Sequence, residues 1–186
     1  MQIGAVMKKA RNAMGPQWTR KVLGKLIGIS HRTIEAYECG DQIPPADAAL
    51  AISKATNAPL IVQEYCRHVC SIGQHMAYEV LDTVDKSLPA VILKLACKFK
   101  AADAALSKIM YLSINKTGRK DFTLEEWRDF DEAIQIFFDI EHNIGVLKEV
   151  LWQITDVSVL VAEHNQKCFD RGYCAKEKTA RLEAAV

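Results

Sequence analysis

The first forty residues contain a concentration of basic side chains that could bind a polyanion. They include seven Lys and Arg but only two Asp and Glu. The whole chain of 186 residues has 24 Lys and Arg and 23 Asp and Glu, which gives a net charge of +1. Residues 1–70 carry nine basic residues against five acidic ones. Arg and Lys bind phosphate oxygens, and Arg also binds the edge of guanine. This asymmetry predicts that the N-terminal part meets a polyanion and that the rest has another role.

Thiols and imidazoles form a second candidate site, for a metal ion or a redox reaction. Two clusters combine them, Cys66-x-His68-x-Cys70 and His164-x3-Cys168-x5-Cys174. Zinc binds thiolate and imidazole, but neither cluster has the Cys-x2-Cys spacing typical of zinc sites. We therefore interpret the cysteines as free thiols and predict no metal and no cofactor. A redox or metal role of Cys66, Cys70, Cys168 and Cys174 stays open at this point.

Carboxylates between residues 82 and 142 raise the question of a metal site in a helical bundle. Such sites need a Glu-x-x-His pattern on one helix face. Here Glu141 and His142 are adjacent, so their side chains point about 100° apart on a helix. The sequence also has no Gly-rich phosphate loop, no Gly-x-Ser-x-Gly motif and no paired catalytic carboxylates. We predict that the chain is not an enzyme.

The elements that position these residues are predicted to be helices throughout. Apolar residues recur at intervals of three and four, and no stretch alternates long enough to indicate a strand. Gly and Pro divide the first seventy residues into five short helices, with breaks at Gly15-Pro16, Gly28, Gly40, Pro44-Pro45 and 57–59. No apolar run approaches the roughly 18–20 residues of a membrane span, and no signal peptide is visible. The prediction is a cytoplasmic all-α protein without membrane association.

After residue 88 the predicted helices become long. A four-three spacing, typical of helices packed at a shallow angle, joins Leu88, Ile92, Leu95, Phe99, Ala102, Leu106 and Ile109. A capping box at Thr123–Glu126 starts a second stripe, which joins Phe130, Ile134, Phe137, Ile144, Leu147, Leu151 and Ile154. The polar loop 115–121 between them predicts an antiparallel hairpin.

Further apolar residues lie off these two stripes and need another layer to cover them. They are Val91, Met110, Ile136, Phe138, Ile140, Val146 and Val150. Large exposed apolar patches mark association sites. We expect both a short helix around 76–84 and a second copy of the chain to provide that layer. The predicted partner is therefore a second subunit, in a homodimer through residues 88–154.

Residues 19–40 have the pattern of two short helices joined by a tight turn. The string is Leu23-Gly24-x-x-Ile27-Gly28-Ile29-Ser30-x-x-Thr33-Ile34-x-x-Tyr37-Glu38-x-Gly40-x-x-x-Pro44. It resembles the Cro/CI-like helix-turn-helix proteins, the XRE family of phage and bacterial regulators, over residues 3 to about 62. The chain departs from that family at Gly24, where Ala is more usual, and at Arg20, where Gln is frequent.

The resemblance implies a lambda-repressor-like fold and a set of residues that contact double-stranded DNA. The major-groove positions fall on His31, Arg32 and Ala36, with Thr33 and Glu35 adjacent. Arg20 and Lys21 fit phosphate contacts at the start of the preceding helix. The resemblance also implies a structural ion pair between Arg11 and Glu38.

These observations predict three segments and two alternative functions. Residues 1–70 form a helix-turn-helix DNA-binding domain, residues 71–167 a long-helix bundle or hairpin for oligomerisation or regulation, and residues 168–186 a mobile tail. The predicted function is a sequence-specific transcriptional regulator, a dimeric repressor of a phage or mobile-element promoter. The alternative is an antitoxin-like or regulatory module whose C-terminal helices bind a protein partner.

Overall fold

The computed structural model of the chain describes residues 3–81 and 83–174, and within these ranges all regular structure is helical. The predicted all-α class is therefore confirmed. The helices are α1 (Ile3–Ala13), α2 (Arg20–Ile27), α3 (His31–Cys39), α4 (Ala46–Ala55), α5 (Leu60–His68), α6 (Gly73–Met76), α7 (Leu88–Ser113), α8 (Leu124–Trp152) and α9 (Val157–Asp170). None of them, in the ranges described, has the length and apolar character needed to cross a membrane. The described residues divide into two compact units, the first ending at Val150 and the second beginning at Leu151.

Helices α1–α5 pack around one apolar core, as the five short helices predicted from Gly and Pro require. Their buried residues are Val6, Met7, Leu23, Ile34, Tyr37, Ala48, Ala49, Ile52 and Ile61. The predicted helix ends at Gly28 and Gly40 are confirmed, with φ of 72° and 83°. These left-handed values favour glycine because a Cβ atom would be strained there.

The segment after α5 differs from its prediction. The short helix expected around residues 76–84 is absent from the described part of that range, since α6 ends at Met76 and residues 77–81 are not helical. These residues instead contact α8 through side chains. Tyr78 stacks on His142 with ring centroids 4.9 Å apart, and His142 Nε2 lies 2.8 Å from the carbonyl oxygen of Glu79. The conformation of residues 77–81 is therefore determined by their contacts with α8 and not by the helical spacing of their apolar residues.

Helices α7 and α8 run antiparallel. Successive ion pairs show this direction, because Lys98 pairs with Asp139 whereas Lys108, ten residues later, pairs with Asp129 at 3.3 Å. The predicted capping box at the start of α8 is also confirmed. Thr123 Oγ1 accepts a hydrogen bond from the backbone N–H of Glu126 at 3.2 Å, and the Glu126 carboxylate accepts one from the N–H of Thr123 at 2.8 Å.

The predicted contact stripe on α7 is wrong at four positions. Leu88, Ile92, Phe99 and Leu106 are 38–54% exposed. The buried residues of α7 are Val91, Leu95, Ala102, Ala105 and Leu112. Both sets follow four-three spacing and both contain Leu95 and Ala102. Because α7 is apolar over more than one face, spacing alone does not choose between the two sets.

Helix α8 shows the same difference from its prediction. Its buried residues are Ala133, Ile140, Asn143 and Val146. Ile140 and Val146 were expected to lie off the contact stripe, whereas the expected stripe residues Phe130, Ile134 and Phe137 are only half-buried. Val146 packs with Val91 and Leu95 in one buried cluster. The expected stripe residues Ile144 and Leu147 pack against the same cluster, so the two long helices meet along faces that overlap the predicted ones but are rotated from them.

The second compact unit contains α9. Asp156 caps this helix by accepting a hydrogen bond from the backbone N–H of Ser158 at 2.9 Å. Residues 168–170, the start of the segment predicted to be a mobile tail, form its last turn. Residues 171–174 follow as turn and bend, and residues 175–186, the remainder of the predicted tail, lie outside the described residues.

Candidate nucleic-acid interface

A side-chain cap begins each of the two helices that flank the turn, α2 and α3. Thr19 Oγ1 accepts a hydrogen bond from the backbone N–H of Val22 at 3.3 Å, and Ser30 Oγ accepts one from that of Thr33 at 3.1 Å. Such caps satisfy N–H groups that have no partner within the helix. Gly28 ends α2, so only three residues separate the helices. The direction of α3 is therefore determined locally.

Gly24 allows α2 to approach this turn closely. A Cβ atom at position 24 would lie 2.3 Å from the carbonyl oxygen of Ile29, well inside van der Waals contact. That atom belongs to the backbone and cannot rotate away. The glycine therefore determines how closely α2 and the start of α3 pack.

A buried carboxylate joins three elements below the outer face of α3. Arg11 Nε and Nη2 donate to Glu38 at 2.6 and 2.9 Å, so the ion pair implied by the family resemblance is present. Arg20 Nε donates to the same carboxylate at 2.8 Å, and Arg11 Nη1 donates to the Trp18 carbonyl at 2.9 Å. The Glu38 side chain is only 1% exposed. This network, defined here as the Glu38 network, links α1, α2 and α3.

The electrostatics of Glu38 follow from these contacts. Burial by itself raises the pKa of a carboxyl group, because it disfavours the charged form. The hydrogen bonds and positive charges of Arg11 and Arg20 outweigh burial and lower the pKa of Glu38 below its ordinary value. The carboxylate is therefore charged at neutral pH, as the network requires.

Arg20 and Glu35 have partners within the chain. Both were predicted to contact DNA, but the guanidinium of Arg20 pairs with the Glu35 carboxylate as well as with Glu38. The Arg20 side chain is 29% exposed. Its donors are thus directed to carboxylates within the chain, and this arrangement was not expected from the sequence.

Of the four remaining predicted residues of α3, two are exposed and two are half-buried. His31 and Arg32 are exposed, and the side chain of neither makes a hydrogen bond or ion pair with any residue that the structure describes. Thr33 is half-buried, and its hydroxyl lies 2.8 Å from Ser30 Oγ. Ala36 is half-buried and apolar.

Lys21 on α2 is exposed and, within the described residues, also lacks an internal partner. Lys25 shares these properties but was not among the predicted contact residues. The two are four residues apart, so they lie on one face of α2. That spacing is the signal by which Lys25 could have been found. We call Lys21, Lys25, His31 and Arg32 the basic face.

The cysteine–histidine clusters form no recognisable metal centre within residues 3–81 and 83–174. No three His, Cys, Asp or Glu side chains are grouped there as metal ligands. Cys66 and Cys70 belong to the first compact unit and Cys168 and Cys174 to the second, and all four are free thiols. Cys168 Sγ lies 3.5 Å from His164 Nε2, a contact within one helix.

Comparison of the chain with protein-family models, curated proteins and solved structures found no match. Its function is therefore inferred from its own residues.

Proposed function

We propose that this chain is a cytoplasmic, sequence-specific DNA-binding regulator of transcription, acting as a dimeric repressor of a phage or mobile-element promoter. Helices α2 and α3 serve as the helix-turn-helix of a lambda-repressor-like domain, and α3 enters the major groove. The observation that carries the proposal is the basic face. On a short helix held by caps and by the Glu38 network, His31 and Arg32 are exposed and have no internal partner among the described residues.

Each residue of the basic face has a role that follows from its chemistry. Arg32 binds guanine O6 and N7 with two parallel hydrogen bonds, and His31 contacts a neighbouring base edge or phosphate. Lys21 and Lys25 neutralise backbone phosphates, which contributes affinity without sequence preference. Arg20 acts as a positioning residue, because its guanidinium holds α2 against α3 through the Glu38 network.

The test begins with selection of bound duplexes from a random pool at fixed salt. Fluorescence anisotropy then measures the Kd of wild type, Arg32→Ala and Lys21→Ala on the selected and on random DNA. Arg32→Ala should cost about 1–3 kcal/mol on the selected site, roughly 5- to 150-fold in Kd, and relax its specificity. Lys21→Ala should weaken binding to both DNAs. It should also reduce the slope of log Kd against log salt concentration by about one.

Arg128→Ala is the matched control, since Arg128 is an exposed arginine of α8 with no partner among the described residues. It removes the same charge away from the basic face and should leave both Kd values almost unchanged. Equal losses on selected and random DNA for Arg32→Ala, or a loss for Arg128→Ala as large as for Arg32→Ala, would contradict the assignment.

The dimeric state is proposed from the exposed face of α7. This α7 stripe consists of Leu88, Ile92, Phe99, Leu106 and Met110. Its members are four, seven, seven and four residues apart, so they form one continuous strip beside the face that packs on α8. Apolar strips of this length mark association sites. A two-fold dimer through the α7 stripe would bring together two copies of the helix-turn-helix, as binding to two half-sites requires.

Light scattering on the full chain tests the dimer, which should have twice the 20.8 kDa mass of one chain. Phe99→Glu places a charge in the centre of the α7 stripe and should give monomers. Leu124→Glu is the control, because Leu124 is 78% exposed but lies outside the stripe. A wild-type monomer at micromolar concentration would disprove the dimer.

The α7 stripe also fits the second candidate function, an antitoxin-like or regulatory module that binds another protein. In that case the wild-type chain is a monomer alone and forms a stoichiometric complex with its partner. Phe99→Glu then abolishes the complex and leaves the mass of the isolated chain unchanged. Light scattering on the isolated wild-type chain therefore separates the two candidates.

A further inference from the structure

A cleft of about 230 Å³ lies between α5, the segment 77–81 and α8, all within the first compact unit. Most of its wall is apolar, formed by Val62, Ala77, Val80, Leu81 and Val146. An engineered apolar cavity of about 150 Å³ is enough to bind benzene. The cleft therefore has room for a molecule of one or two fused rings.

The polar side chains around the cleft already have partners within the chain. Tyr78 Oη donates to the Glu141 carboxylate at 2.8 Å. Glu149 accepts hydrogen bonds from Lys86 Nζ at 2.9 Å and from Gln63 Nε2 at 3.3 Å. Among the described residues that line the cleft, the other acidic side chain, Glu79, pairs with Arg67, so none of these carboxylates needs a ligand to neutralise it. The cleft thus favours a molecule without charge.

Cys66 also lines the cleft and contributes no charge. Burial raises the pKa of its thiol, and the nearby thiol of Cys70 raises it further. A thiol with a raised pKa remains protonated at neutral pH, and a protonated cysteine is a weakly polar, polarisable group. This part of the wall is consequently as suitable for an apolar molecule as the valines beside it.

The absence of a side chain at Gly145 is a second feature that keeps the cleft open. It lies inside the 29-residue helix α8 and lines the cleft. Glycine destabilises a helix interior relative to alanine. A Cβ atom at position 145 would meet nothing within 4 Å, in contrast to position 24, where it would collide with the backbone. No close packing requires glycine here, so its effect is to leave the space empty.

From the cleft and Gly145 together, we propose that this chain binds a small uncharged apolar molecule of one or two rings between α5, residues 77–81 and α8. The molecule rests against Val62, Val80 and Val146, beside the stacked rings of Tyr78 and His142. Its binding free energy comes from removing apolar surface from water. This site does not depend on the proposed DNA-binding function.

Indole is a suitable probe, with benzoate as a charged probe of comparable size. The full chain, labelled with ¹³C in its valine methyl groups, is titrated with each compound and followed by NMR. Indole should give saturable shifts confined to the methyls of Val62, Val80 and Val146, and benzoate should bind at least tenfold more weakly. Gly145→Leu fills the cleft and should weaken indole binding at least tenfold.

Gly118→Leu is the matched control, because a side chain at position 118 likewise meets nothing within 4 Å but lies outside the cleft. Circular dichroism checks that both variants are folded. If Gly145→Leu is not folded, the same titration is made with Gly145→Ala. This variant should be folded and should bind indole two- to threefold more weakly than the wild type. Absence of saturable indole binding, equal affinity in the folded Gly145 variant, or benzoate binding as tight as indole would overturn the proposal.

Discussion

The replacement Glu38→Gln tests whether the Glu38 network holds α3 in place. Glutamine keeps the size of the side chain but removes the charge that Arg11 and Arg20 share. Removing one partner of a buried ion pair costs about 3–5 kcal/mol, since the other charge is left without compensation. The lower end applies here, because the glutamine oxygen still accepts a hydrogen bond and Arg20, at 29% exposure, can turn towards water.

A loss of about 3 kcal/mol should lower Tm by roughly 6–12 °C in a unit of this size. The effect should also depend on pH. Because the pKa of Glu38 is lower in the folded chain than in the unfolded one, its stabilisation is fully present above its ordinary pKa. That stabilisation is lost as the pH falls through the folded-state pKa, so the difference between wild type and Glu38→Gln should shrink below about pH 4.5.

Thermal and urea unfolding, followed by circular dichroism at pH 7 and at several values between 5 and 3, measure both effects. Glu132→Gln is the control, since Glu132 is exposed on α8 without a partner among the described residues. It should change stability by less than about 0.5 kcal/mol. A Glu38→Gln variant as stable as Glu132→Gln at pH 7, or a difference independent of pH, would refute the reasoning.

Four single replacements give three further predictions. Gly24→Ala should lower Tm despite the higher helix propensity of alanine, because the added Cβ would collide with the Ile29 carbonyl. Gly145→Ala should instead raise the free energy of unfolding by about 1 kcal/mol, because its Cβ meets no other atom. Shifts of Tm in the same direction for both variants would contradict this. Thr123→Ala should cost about 1 kcal/mol through the lost cap of α8, and no change in urea unfolding would count against it. Arg20→Ala should lower Tm but leave unchanged the slope of log Kd for DNA against log salt concentration. A slope reduced as much as in Lys21→Ala would show that Arg20 contacts a phosphate.

Much of the N-terminal fold could be predicted because its signals are local. Gly28 and Gly40 end helices and Ser30 begins one, through contacts within about four residues, and Thr123 begins α8 in the same way. Such contacts depend little on the rest of the chain. The same reasoning failed for residues 77–81, where contacts with α8 some sixty residues away determine the conformation.

The faces of the long helices could not be predicted from spacing. Helix α7 carries two overlapping apolar stripes, and the choice between them depends on how α8 packs. The cleft is equally a product of packing, because Val62 and Val146 belong to helices far apart in sequence. A four-three pattern of apolar residues identifies an amphipathic helix. When the same helix carries a second apolar stripe, the pattern does not show which stripe packs on the neighbouring helix.

Arg20 and Arg32 have different surroundings, which charge alone does not predict. Both are arginines in the basic N-terminal part, and the sequence assigned both to DNA. Arg20, however, donates to the buried carboxylate of Glu38, and this hydrogen bond raises the pKa of Arg20. Hydrogen bonds to charged groups contribute about 1.5–3 kcal/mol, so Arg20 would have to give up part of that stabilisation before binding a phosphate. Arg32 has no such partner in the described chain, so it would give up only its hydration on binding a base, as its proposed role in base recognition requires.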